Sequence, residues 1–187
     1  MGRLVFLLEE QSMKEVLEII LPKILPVNIS FTCIPHNGKS HLRKSVKNKI
    51  SGWRESGVQF VIIHDQDAMN CISLKNELSC LADEAKRPDT LIRIVCTELE
   101  SWFLGDMSAV ETAFSIDLSS KKNKAMFRNP DTIANAKQEL RKLIPTYQQI
   151  NGSRSIAQYM TVEKNKSHSF QIFVSGLKHL CSEAQNA

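Results

Sequence analysis

Short apolar runs alternate along the chain with stretches in which apolar residues recur every three or four positions. The runs lie at 3–8 (RLVFLL), 28–35 (NISFTCIP), 58–63 and 90–96 (TLIRIVC). Their length and their content of β-branched residues are typical of buried strands. The stretches between them place apolar residues on one helical face. Strands that alternate with helices predict an α/β fold with a mostly parallel four-stranded sheet flanked by helices.

Helices are predicted after each of the first three strands. In the first helix Ser12 is placed to act as the cap, with Glu15 as its capping-box partner. The second helix is expected to be capped by Ser40 and to run to about Trp53, and the third covers 71–86.

The pattern after the fourth strand is helical and carries no further strand signal. Residues 98–114 are predicted to be helical with an interruption at Gly105, and the polar segment 115–130 to be a loop or a mobile linker. The rest is expected to contain helices at 131–143 and 170–180, with a turn at 151–154 and a short helix between them. We therefore divide the chain into an α/β domain over 1–114 and a helical extension over 115–187 that packs on it.

Composition limits the class of protein. The 187 residues are 42% hydrophobic and 24% charged, as in ordinary globular proteins. The first apolar run is too short for a signal peptide, and no run approaches the ~18 residues of a membrane span. We therefore expect a cytoplasmic protein without membrane contact.

The five cysteines lack metal-ligand spacing and are expected to be reduced. A net charge of +4 permits nucleic-acid binding without requiring it.

Three of the four predicted strand ends carry a pair of acids. The pairs are Glu9 with Glu10, Asp65 with Asp67, and Glu98 with Glu100. The carboxyl ends of parallel strands meet at one edge of the sheet, so these acids are expected to gather there. Carboxylates suit Mg²⁺ or Mn²⁺, and two such ions ~3.5–4 Å apart support phosphodiester cleavage. Asp65 and Asp67, two apart on an extended segment, are expected to point the same way, about 7 Å apart.

Each of these features also has a purely structural interpretation. Residues 65–70 can form a turn and a helix cap, and the other two pairs can be first-turn acids favoured by a helix dipole. His64 can transfer a proton or be structural, and Trp102 is assigned to the core. The coincidence of three pairs at one edge favours a bound cation, because neighbouring carboxylates repel one another.

Basic residues offer two candidate contacts for phosphates. Lys39, Arg43 and Lys47 lie four residues apart and form a stripe on the second predicted helix. This stripe can be a solvated helix face or a track for nucleic acid. The segment 121–128 is a second basic stretch. GKS at 38–40 lacks the upstream glycine of a P-loop, so no nucleotide motif is present.

The order of the acidic elements resembles the TOPRIM fold of topoisomerases, primases and OLD-type nucleases, which is Rossmann-like. More closely, the chain resembles a bacterial family of unknown function with a TOPRIM-like domain. The matching stretches are LLEEQSM (7–13), IPHNGKSHL (34–42), FVIIHDQDAMNC (60–71), ELESWFLGD (98–106), FRNPD (127–131), YQQINGSRSI (147–156) and SHSF (167–170).

The resemblance implies roles for the acids and a partner. Glu9 matches the first-strand acid, a metal ligand or general base, and Asp65 and Asp67 match the D-x-D pair. Glu100 matches the last acid, with Glu98 as an alternative. Many TOPRIM motifs have glycine after the first acid, where this chain has Glu10. Relatives of this kind are often encoded beside ABC-type ATPases in phage-defence operons.

Two functions follow as hypotheses. The first is a Mg²⁺- or Mn²⁺-dependent nuclease acting on DNA or RNA, as the effector of an ATPase-coupled anti-phage defence system. The alternative is a catalytically inactive TOPRIM-like module that binds and regulates a partner ATPase through the helical tail from Asp131 onward. The sequence leaves open the nucleic acid, endo- or exonuclease action and the oligomeric state, a homo-oligomer included.

Overall fold

The fold is built on a four-stranded sheet in which every neighbouring pair of strands is parallel. The computed structural model describes residues 2–186, without the side chains of 183–186. The strands are β1 (Arg3–Leu8), β2 (Ser30–Pro35), β3 (Gln59–Asp65) and β4 (Leu91–Val95). Their order across the sheet is β2-β1-β3-β4. The predicted α/β, Rossmann-like architecture is confirmed.

Helices connect the strands and make up the rest of the chain. The helices are α1 (Gln11–Ile24), α2 (Lys39–Gly52), α3 (Cys71–Glu84), α4 (Leu99–Leu104), α5 (Met107–Phe114), α6 (Ser119–Lys122), α7 (Ala136–Leu143), α8 (Gln149–Tyr159) and α9 (His168–Asn186). Two 3₁₀ turns lie at Ala125–Phe127 and Pro130–Thr132. Within the described residues no strand follows β4, as the sequence predicts.

The two faces of the sheet have separate cores. Side chains of β1 alternate between them, so that Phe6 and Leu8 lie in one core and Leu7 in the other. Helices α2 and α3 cover the smaller core, while α1 and the helices after β4 cover the larger one. Trp102 is fully buried in the larger core and stacks on Phe173 with the ring centroids 5.1 Å apart, which confirms its assignment.

The C-terminal helices pack on elements of the α/β part of the chain. Helix α8 lies against α1 and α5, α7 lies against α4, and α9 lies against β4. The segment 115–130 contains only short helical turns, and Leu118 and Phe127 are buried within it. The proposed domain boundary at residue 114 stays a prediction.

Two of the predicted helix caps are wrong. Helix α1 begins after Glu10, and the Ser12 hydroxyl donates to the Glu10 carboxylate instead of capping the helix. Glu15, the expected capping-box partner, pairs with Arg154 of α8. Gly38, not Ser40, precedes α2, because the turn after β2 needs a φ of 84°, which glycine adopts without strain.

Two predicted boundaries in the C-terminal part are also wrong. The turn expected at 151–154 lies inside α8. Gly152 is there for close packing, since a Cβ at this position would lie 2.4 Å from a ring carbon of Tyr147. The helix expected over 131–143 begins only at Ala136. Asp131 instead takes hydrogen bonds from Ser167 and Ser169 at the start of α9.

Candidate acidic site

Glu9 follows β1 directly and is held by residues at the end of β3. Its Oε2 accepts the backbone N–H of Asp65 at 3.2 Å and lies 3.0 Å from Nδ1 of His64. Burial raises the pKa of Glu9 to about 7, and the nearby charge of Asp67 adds to this rise. Burial lowers the pKa of His64, which favours the neutral ring, and the same Nδ1 lies 2.6 Å from the carbonyl oxygen of Asp65.

Asp65 is the last residue of β3, and its side chain is aimed at the end of β4. Its Oδ2 accepts the backbone N–H of Leu99, the first residue of α4, at 3.3 Å. Its Oδ1 is buried and has no partner among the described residues. Burial and then the charges of Glu9 and Glu100 raise the pKa of Asp65 well above its usual value. This carboxyl group therefore prefers to be neutral unless a cation is near.

The side chain of Asp67 does not point the same way as that of Asp65, although the sequence predicts that it does. The extended chain ends at Asp65, and Asp67 has a left-handed φ of 51° in the turn that follows. Its carboxylate accepts a hydrogen bond from Lys39 at 3.1 Å. Since Leu99 follows β4 and Lys39 follows β2, the two aspartates have their partners on opposite sides of β3.

Glu100 lies in the first turn of α4 and has no exposed surface. Its Oε1 accepts the hydroxyl of Tyr147 at 3.1 Å and lies 4.0 Å from Nζ of Lys137. Its Oε2 is buried without a partner in the part of the chain that the structure describes. Burial raises the pKa of Glu100 to about 7, although the charge of Lys137 opposes the rise.

Glu98 has a structural contact that the sequence does not indicate. Its Oε2 accepts the backbone N–H of Lys137 at 2.9 Å, at the beginning of α7. The amino group of the same lysine lies close enough to the acids to be attracted by their negative charges. Burial lowers the pKa of Lys137, but attraction to Glu100, Glu10 and Glu98 outweighs burial and leaves the pKa raised. Lys137 is thus a cation facing the acidic site.

Residues of α8 and the loop before it complete the site, and the sequence analysis does not single them out. Gln149 donates to Oε1 of Glu10 at 2.5 Å. The Tyr147 hydroxyl lies 3.0 Å from that of Ser153, so that both hydroxyls are engaged beside Glu100. The one signal for these residues is the family resemblance over 147–156, which carries no role for any of them.

The basic stripe on α2 faces the acids of its neighbours. Its three ion pairs are Lys39 with Asp67 at 3.1 Å, Arg43 with Glu77 at 3.2 Å and Lys47 with Glu84 at 3.1 Å. In the second basic stretch, Lys122 pairs with Glu111. A role for either group in binding nucleic acid stays a prediction.

The acids from three strand ends do gather at one edge of the sheet. The charges of Glu9, Glu100 and Glu10 all raise the pKa of Asp65, so these acids lie close to it. Among the side chains that the structure describes, no three carboxylates, histidines or cysteines already form a group able to hold a metal ion. The site combines carboxylate oxygens with the amino groups of Lys137 and Lys39. The oxygens are ligands suited to a divalent cation, and the amino groups suit a phosphate.

Fold and site together define an all-parallel α/β protein with an acidic site at the carboxyl edge of its sheet. A family profile described as a domain of unknown function (DUF4276) matches residues 8–178, and the chain belongs to this family. Neither a search of curated proteins nor one of solved structures finds a match. No helix in the described residues is long and apolar enough to cross a membrane.

Proposed function

We propose that this protein is a metal-dependent phosphodiester hydrolase that cleaves DNA or RNA. The observation that carries the proposal is a pair of buried carboxylate oxygens, Oδ1 of Asp65 and Oε2 of Glu100, without a partner among the described residues. Buried carboxylates that repel one another are costly, and a cation bound between them removes both the repulsion and the missing contacts.

The donor set fits Mg²⁺ or Mn²⁺ by its chemistry. Asp65 and Glu100 would hold the ion, with Glu9 as a further ligand or as the base, and Asp67 and Glu98 at the periphery. All are carboxylates, the hard ligands that these ions prefer. When bound, the ion would neutralise charge on the scissile phosphate and lower the pKa of a water molecule.

The remaining side chains have positioning roles in this proposal. Nδ1 of His64 lies 3.0 Å from the Glu9 carboxylate, which the Asp65 backbone N–H holds. A pKa of about 7 suits Glu9 for accepting a proton from water near neutral pH. Tyr147 holds one oxygen of Glu100 and leaves the other free. Lys137 and Lys39 face the site from two sides and would attract the phosphates of the substrate.

The TOPRIM relationship and the cellular setting belong to the same proposal. The supporting features are the parallel sheet and the acids after β1, at the end of β3 and after β4. The cellular setting comes from the sequence resemblance alone, and from it we infer that the protein is the effector of an ATPase-coupled anti-phage defence system, acting with an ABC-type ATPase partner.

A second candidate function is a non-catalytic module that regulates such an ATPase. The observation that favours it is the absence, among the described side chains, of three ligands already grouped for a metal. In addition, one oxygen of Asp65 and one of Glu100 are engaged in structural hydrogen bonds. Acids that once held a metal can persist in this way after catalysis is lost.

Cleavage and metal binding should be measured on the same preparations. We expect the wild-type protein with Mn²⁺ to cleave plasmid DNA or a labelled RNA, and Asp65→Asn to abolish cleavage. Asp83→Asn, an equal change at an exposed position of α3, should cleave like the wild type. Calorimetric titration with Mn²⁺ separates the candidates. Absence of binding at pH 8 would overturn the metal site and leave the regulatory module.

A further inference from the structure

A groove runs along the outer edge of β4, between α3 and α9. Its volume is about 470 Å³, within the range of protein binding sites. Three consecutive residues of the strand, Ile92, Arg93 and Ile94, line it. Since β4 is the last strand in the order β2-β1-β3-β4, the floor of this groove is the backbone edge of the sheet.

The backbone groups of Ile92 and Ile94 point into this groove. The carbonyl of Val95 accepts the N–H of Gln66 at the end of β3, so Val95 faces the inner side of the sheet. In a strand the direction of the hydrogen-bonding groups alternates, so Arg93 also faces β3, whereas Ile92 and Ile94 face outward. The Ile92 carbonyl takes a hydrogen bond from the side chain of Arg93 at 2.9 Å rather than from a strand.

The walls of the groove combine an exposed apolar residue with basic groups. Ile172 of α9 is 45% exposed. Lys75 of α3 and His168 of α9 are exposed and line opposite walls. Neither has an ion-pair partner among the described side chains. The acid in the lining, Asp131, is already engaged by Ser167 and Ser169.

We propose that this groove binds an extended acidic segment of a partner protein, which adds to the sheet beside β4. The outward N–H groups of Ile92 and Ile94 face no neighbouring strand of the sheet, and strand addition uses such groups for affinity and the walls for specificity. Lys75 and Arg93 supply the positive charge that an acidic segment complements. Pairing of two copies through this edge would bring these same cations together.

The groove adjoins the acidic site without sharing its carboxylates. Gln66 lines the groove and separates Asp65 from Asp67 in the sequence. A segment bound beside β4 therefore contacts Gln66, the residue between the two aspartates. Since this docking needs no metal and no hydrolysis, it stands or falls separately from the proposed function.

The test is binding of a labelled peptide together with amide hydrogen exchange. The probe is a nine-residue peptide that alternates valine with aspartate, and the control peptide alternates valine with lysine. We expect the acidic peptide to bind at least about tenfold more tightly in fluorescence anisotropy. In NMR exchange, the amides of Ile92 and Ile94 should become protected on binding. Those of Arg93 and Val95, which already face β3, should change little.

Charge reversal in the groove gives the matched comparison. The double variant Lys75→Glu and His168→Glu should bind the acidic peptide at least about tenfold more weakly than the wild type. The control variant Lys44→Glu, at an exposed position of α2, should bind it like the wild type. Equal binding of the acidic peptide by all three proteins overturns the proposal. Equal protection of the amides of Ile92, Arg93, Ile94 and Val95 on binding overturns it as well. Protection of Ile92 and Ile94 in the free protein, with dimers in sedimentation, would assign the edge to a second copy and also overturn it.

Discussion

Glu100 illustrates how burial and repulsion act on a single residue of the site. Its side chain has no exposed surface, one oxygen bonded to Tyr147 and one oxygen with no partner among the described residues. A pKa raised from 4.5 to about 7 means that the folded protein binds a proton here that the unfolded chain releases. This group therefore makes folding less favourable as the pH rises from about 4.5 through 7.

Replacing Glu100 by glutamine tests this effect. We expect Glu100→Gln to be more stable than the wild type at pH 8, by on the order of 1–2 kcal/mol, because the ionised carboxylate is removed. At pH 5, where the buried glutamate is mostly protonated, the gain should nearly vanish. Urea unfolding at both pH values measures it, with Glu163→Gln at an exposed position as control. A gain that does not depend on pH would contradict the assignment.

The hydroxyl group of Tyr147 is predicted to stabilise the folded protein through its hydrogen bonds with Glu100 and Ser153. Tyr147→Phe leaves Glu100 and the buried Ser153 without this partner, so a loss of about 1–2 kcal/mol in unfolding free energy is expected. Tyr159, which is 47% exposed, provides the matched control. Tyr159→Phe should change stability by less than ~0.5 kcal/mol. If both variants unfold at the same urea concentration, the hydroxyl network contributes nothing.

At the scale of elements, the hydrophobic pattern predicts most of the structure before residue 96. The strand predicted at 3–8 is found at Arg3–Leu8, and the one predicted at 90–96 is found at Leu91–Val95. β1 is buried along nearly its whole length, so its continuous apolar run is enough to identify it, whereas Arg93 interrupts the apolar run of β4. The start of α2 is less predictable, because backbone geometry at Gly38 decides it rather than the polarity of Ser40.

Helix α8 is held close to the preceding loop by the absence of a side chain at Gly152. A Cβ there would lie 2.4 Å from the ring of Tyr147, so Gly152→Ala should cost about 1–3 kcal/mol through overpacking. Gly52, at the end of α2, has no atom within 4 Å of the equivalent position. Gly52→Ala should therefore be neutral or slightly stabilising. Thermal unfolding of the pair measures the difference, and equal melting temperatures would refute the packing argument.

At the scale of the whole molecule, metal binding and protonation compete for the same carboxylates. Glu9 and Glu100, each with a pKa of about 7, are mostly protonated at pH 6 and mostly ionised at pH 8. If the proposed site is correct, Mn²⁺ must displace these protons at the lower pH. We expect calorimetry to give at least about tenfold tighter binding at pH 8 than at pH 6. Equal affinities would mean that Mn²⁺ binds elsewhere.

The sequence by itself determined the strands, the parallel sheet and the gathering of acids at its carboxyl edge, because local hydrophobic periodicity and strand direction fix these features. Only the tertiary structure decided what surrounds the acids. Tyr147 reaches Glu100 across 47 residues, and Gln149 reaches Glu10 across 139. Contacts this distant leave no pattern in a local stretch of sequence. The turn at Asp67 likewise depends on Lys39 and the end of β4, which only folding brings beside it.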